Sequence, residues 1–214
     1  MQVTVDGTPT PANIYDAKLF PFFDRLQTLF ADMDRQYGRA AGHYGFECQG
    51  CQDNCCLTRF YHHTYLEYFY LHRGMDELDP PLQRVIRARA AAVCRQTELA
   101  DDQALPLRQM CPLNSDGLCT LYHYRPMICR LHGIPHELQK PGQPVIRAPG
   151  CDAFDGRCSD KPYFKFDRTQ FYFKMAGLEN EFKQAAGLTG RVKLTVAEMI
   201  IGIAQSAGGK APGA

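Results

Sequence analysis

Ten cysteines stand out in a chain of 214 residues, and eight of them are spaced as metal ligands are. The first group reads Cys48-Gln-Gly-Cys51-Gln-Asp-Asn-Cys55-Cys56. A C-x2-C step on a turn brings two thiolates to one metal from adjacent backbone positions, as in zinc and iron–sulfur sites. Gly50 in the spacer allows a tight turn. The second group is Cys111-Pro112, Gly117-Leu-Cys119 and Arg125-Pro126-Met-Ile-Cys129-Arg130, with prolines stiffening the backbone beside two of the thiols. Gly117 reads as part of a knuckle-like turn. A looser pair, Cys151 and Cys158, follows Pro149-Gly150. The metal set read from the sequence is therefore Cys48, Cys51, Cys55, Cys56, Cys111, Cys119, Cys129 and Cys151, with Cys158 left open.

Thiols in such number also serve as disulfides in exported proteins. The first eleven residues carry neither a basic start nor a long apolar stretch, and Met199–Ala204 is far shorter than the ~20 residues of a membrane span. The expectation is a cytoplasmic protein in a reducing compartment, with neither membrane nor nucleic acid as partner. A net charge of +1 and the lack of a basic stripe give no footprint for nucleic acid. Arg59, Arg125 and Arg130 lie beside the cysteines and would offset a thiolate-rich centre, whose net charge with one zinc and four thiolates is about −2. Cys94 is different. It sits beside the apolar stripe Leu82, Ile86, Ala90 and Val93, and reads as a small core residue.

All-thiolate ligation suits an iron–sulfur cluster and zinc alike. The adjacent Cys55 and Cys56 fit a polynuclear centre more readily than one tetrahedral ion, which places the cluster ahead of zinc. Which of the two ligates stays open, as does any part for His62, His63, His132 or His136. The bland reading of such histidines is a hydrogen-bonded structural role.

The Cys48/Cys51/Cys55-Cys56 motif, Cys111-Pro112, Gly117-x-Cys119 and Tyr122-x2-Arg125-Pro126-x2-Cys129-Arg130 together resemble the YkgJ-type cysteine-cluster family. The resemblance covers roughly residues 45–155. It implies a zinc- or iron-chelating domain and a distant relation to flagellin lysine methylases. The three-residue spacer before Cys55 departs from the two residues frequent in that family. Three functions follow as expectations: a metal or cluster centre with a structural or electron-transfer role, a metal-dependent enzyme, and a metal-trafficking or storage protein.

The elements that must position these thiols are mainly helical, packed around an irregular cysteine-rich centre with at most a short β-hairpin. One domain is expected over residues 1–206, with its motif core at about 45–155 and a frayed tail at 207–214. Pro21 opens a helix whose apolar face is Phe22, Leu26, Leu29, Phe30, Met33 and Tyr37, broken by Gly42 and Gly45. A second helix is expected over Phe60–Leu71, with Tyr61, Tyr65, Tyr68 and His72 on one face. A third follows Pro80-Pro81. Residues 103–165 look irregular apart from a hairpin of 136–139 with 144–148 around Lys140-Pro-Gly-Gln143. Asp167 with Gln170, and Thr195 with Glu198, have the spacing of capping boxes. The first opens a helix burying Phe171, Met175, Leu178 and Phe182, the second one burying Val196, Met199, Ile200 and Ile203.

Overall fold

A computed structural model describes residues 15–47 and 55–202, without the Cys55 side chain. Cys48, Cys51, Ile203 and the 207–214 tail lie outside the described residues. Seven α-helices run through them: α1 (Phe20–Tyr44), α2 (Tyr65–Asp76), α3 (Pro80–Asp102), α4 (Met127–Leu131), α5 (Asp152–Cys158), α6 (Thr169–Ala186) and α7 (Val196–Ile201). Two antiparallel hairpins interrupt them, β1 (Asn114–Ser115) with β2 (Leu118–Cys119), and β3 (His136–Gln139) with β4 (Val145–Ala148). The mainly helical expectation holds; the limit of one hairpin does not.

The axle of the molecule is α2. Ten of its twelve residues are buried, including Tyr65, Tyr68, Phe69 and Leu71. A helix apolar all round belongs in the interior. It packs against α1, α6 and α7. The expected helix over Phe60–Leu71 starts five residues late, because Thr64 is its N-cap: the Thr64 hydroxyl accepts from the Glu67 N–H. Tyr61 therefore lies outside it, and His62 pairs instead in an extended bridge with Leu194. The buried Glu179 of α6 accepts from the N–H groups of Tyr65 and Leu66 at 2.9 and 3.0 Å. These are first-turn donors that the helix cannot satisfy itself. Burial pushes the Glu179 carboxyl up to about 7 despite those two bonds.

Helix α1 passes through Gly42 rather than breaking there. It ends at Gly45, whose φ of 60° is the left-handed cap a glycine adopts freely. The Thr195–Glu198 capping box is present at α7. At α6 the anchor differs: Asp167 accepts from the Thr169 N–H at 2.9 Å, and the helix begins at Thr169. The β3–β4 hairpin runs His136↔Ala148 to Gln139↔Val145, in the place expected from Pro141-Gly142. The β1–β2 hairpin turns on Asp116 and Gly117, both with positive φ (52° and 85°). That is the two-residue Asp-Gly turn that matches strand twist.

Gly74 of α2 faces the Tyr124 ring so closely that a Cβ there would overlap it. Gly74→Ala is expected to destabilise the fold by about 1–3 kcal/mol through overpacking. Gly42→Ala, whose Cβ would meet nothing within 4 Å, should instead stabilise by about 0.5–1 kcal/mol through helix propensity. Urea denaturation of both variants checks the contrast, and a Gly74→Ala as stable as the native chain would remove the close packing.

Candidate metal centre

The Cys56 carbonyl accepts from the Cys111 N–H at 2.8 Å, which pins the end of the first cysteine group to the start of the second. Cys111 then turns into the β1–β2 hairpin, its own carbonyl accepting from Asn114 at 2.9 Å. In β2 the strand alternation points Leu118 outward, 64% exposed, and turns Cys119 inward against the core. Cys129 rides in the middle of α4. All four thiols line one cavity of about 750 Å³. They lie close enough that Cys129 feels the charges of Cys111, Cys119 and Cys56. Burial pushes the Cys111 thiol up to about 12, and raises Cys119 and Cys129 as well.

Among the described residues, no three His, Cys, Asp or Glu side chains form a group that could hold a metal ion. The four thiols supply the soft donors that zinc and iron–sulfur clusters take. They do not by themselves close a coordination sphere. Cys48, Cys51 and the Cys55 side chain, which the sequence assigns to the same centre, lie outside the description.

The remaining sequence candidates separate. Cys151 is the N-cap of α5, with its N–H donating to the Gly133 carbonyl at 3.0 Å, and it is absent from the cavity wall. Cys158 is buried, its thiol 3.5 Å from the Tyr44 carbonyl. Cys94 packs against the core on α3, as its stripe implies, and burial pushes its thiol up to about 11. His132 lines the cavity edge-on to Phe60. His63 is exposed, whereas His62 is buried and pairs in the extended bridge with Leu194. His136 sits in β3, and burial pushes it down to about 4.

The arginines are held individually. Arg130 is buried with its guanidinium over the Phe30 ring at 4.1 Å, and donates to Asp34 at 2.6 Å and to the carbonyls of Arg125 and His123. Phe30 and Asp34 stand four apart on α1, so one helix face grips both the flat and the edge of this cation. Arg125 stacks 3.8 Å over Tyr122 and reaches Asp34 only at 3.4 Å. Arg59 forms a two-pronged pair with Asp101 at 2.7 Å.

Two anchors were missed in the sequence. Asp34 looks like any polar residue on an amphipathic helix. Glu67, buried inside α2, accepts from the Met127 N–H at 2.7 Å and so fixes the start of the helix that carries Cys129. The signal for Glu67 was available: a charged residue inside the aromatic and aliphatic run Tyr65–Leu71 must find a partner. No helix among the described residues is long and apolar enough to cross a membrane. No protein-family model, curated protein or solved structure matches the chain.

Proposed function

We propose that this chain is a metal-binding protein that holds an iron–sulfur cluster, or zinc in its place, on clustered cysteine thiolates. Cys56, Cys111, Cys119 and Cys129 would bind it together with Cys48 and Cys51, in a structural or electron-transfer role. The observation that carries the reading is convergence. Thiols from two groups far apart in sequence meet on one cavity wall, delivered by a 3-10 turn, a hairpin and a short helix. Isolated buried cysteines have no reason to be gathered in this way. The resemblance of the motifs to the YkgJ-type chelating family supports the same reading. The group would contribute cross-linking of the segments and, as a cluster, one-electron exchange. The chain contributes soft donors, the backbone link between Cys56 and Cys111, and the Glu67 anchor under Cys129.

The cavity beside the thiols favours a second reading, a metal- or cluster-dependent enzyme with substrate space against the centre.

Anaerobic purification followed by a visible spectrum and analysis for iron, acid-labile sulfide and zinc tests the proposal. The expected result is coloured protein with iron and sulfide near stoichiometric amounts. Zinc alone would keep the centre and replace the cluster. Metal-free protein with its cysteines joined as disulfides would overturn the reading.

A further inference from the structure

A cavity of about 750 Å³ is far more than thiolate ligation requires. A tetrahedral ion held by Zn–S bonds of about 2.3 Å fills one corner of such a space. The volume falls within the ~300–1,000 Å³ of small-molecule sites. Its described wall is largely apolar, with Phe60, Leu105, Leu107, Leu118 and Val196 among its residues. Leu105 and Leu118 are 57% and 64% exposed, apolar surface left open among the described residues.

The charges on that wall do not balance. Arg59 and Asp101 cancel as a two-pronged pair. Arg125 and Arg130 share the single carboxylate of Asp34. Arg130 takes the short bond and two carbonyls besides, so each of its three nitrogens donates once. Arg125 has one long hydrogen bond of 3.4 Å besides its stacking on Tyr122, and among the described residues its buried Nε has no hydrogen-bond partner. Burial and the nearby Arg168 hold His132 below its ordinary range, so it adds no second cation at neutral pH. With its thiols neutral, the described wall therefore carries one positive side chain more than negative ones, and Arg125 is the less tightly paired of the two arginines that share Asp34.

We infer that this cavity binds a small organic carboxylate with an apolar body, its carboxylate at Arg125 and its body along Phe60, Leu105, Leu107 and Leu118. A planar guanidinium with open donors is the natural partner of a carboxylate. One unmatched charge fits a monoanion better than a doubly charged phosphate. The inference rests on the proposed function only in taking this cavity as the working site; its charge argument uses no metal.

Calorimetric titration of the anaerobically isolated protein with 3-phenylpropionate and with its neutral amide tests it. The acid should bind about tenfold more tightly than the amide, the scale of one charge-assisted hydrogen bond. Arg125→Gln should erase that preference. Asp34→Asn, which removes the competing carboxylate, should strengthen acid binding. Equal affinity for acid and amide, binding of neither, or a preference that survives in Arg125→Gln would overturn the inference. If Arg125→Gln does not fold, Asp34→Asn decides: acid binding unchanged or weakened sinks it. Metal content measured on the same samples separates the two ideas. Metal-loaded protein without acid preference defeats this inference alone, whereas metal-free protein that prefers the acid defeats only the metal centre.

Discussion

Serine at Cys56, Cys111, Cys119 or Cys129 is expected to reduce bound metal from near-stoichiometric to trace, while Cys94→Ser, Cys151→Ser and Cys158→Ser retain it. The first four line one cavity, Cys56 from a 3-10 turn (Cys55–Leu57), Cys111 from the loop ahead of β1, Cys119 from β2 and Cys129 from α4. A hydroxyl is a hard, weakly acidic donor and a poor substitute for thiolate toward zinc or iron–sulfur iron. Apparent binding energies of structural zinc sites are about 10–16 kcal/mol, so loss of one ligand from a shared centre is a large effect. Cys94, on α3, is not among the residues that line the cavity and packs against the core, so its substitution should cost packing only. Cys151 belongs to the metal set read from the sequence, yet its backbone caps α5 and its residue is off the cavity wall. Metal analysis of the seven variants is the measurement. A Cys94→Ser protein stripped of metal, or a Cys129→Ser protein that keeps it, would break this division of the cysteines.

The helices were legible because their signals are local. Pro21 and Gly45 bracket α1, Pro80-Pro81 opens α3, and Thr195–Glu198 caps α7, each through bonds made within a few residues. The start of α2 was misplaced since Phe60 and Tyr61 continue the aromatic run with no change of character. Only the Thr64 hydroxyl decides the boundary, and an extended pairing with the distant Leu194 competes for His62. The β1–β2 hairpin was missed through a turn signal taken for a knuckle; Asp116-Gly117 between Ser115 and Leu118 is strong hairpin chemistry. The candidate site divides in the same manner. Cysteine spacing picked out the four cysteines that line the cavity, and nearness in sequence picked out Arg125 and Arg130 on the same wall. Spacing could not separate Cys151 from Cys129, because that depends on where α5 packs. Nor could it identify Asp34 or Glu67, whose roles exist only once α1 and α2 meet the segment 122–130.

Removing the metal with a chelator is expected to loosen residues 103–119 while leaving the helical core folded. From Gln103 to Met110 every residue except Gln109 is exposed, and no regular structure spans 105–111. Outside the β1–β2 ladder, the backbone ties of this stretch are Gln103 to Leu99, Ala104 to Asp101, Leu105 to Ala100, Cys111 to Cys56, Asn114 to Cys111 and Thr120 to Leu113, with none over 106–110. A segment with so little buried surface takes its order from its anchors, and binding energy at a structural site is largely folding energy. The sequence reads 103–165 as irregular apart from its hairpin, and the structure narrows the loosely held part. Met127, Leu131, Ile134, Phe154 and Cys158 are buried in the same core as α1 and α6, and β3 is fastened to the chain ahead of α6 by Glu137 N–H to Phe166 and Arg168 N–H to Glu137. Amide hydrogen exchange should therefore rise by about tenfold or more across 103–119 on chelation, with α2 and α6 unchanged. Exchange unaltered across 103–119 would make the metal peripheral. Exchange raised equally in α2 would mean that the centre supports the whole fold, contrary to a core built on Tyr68, Phe69 and Phe182.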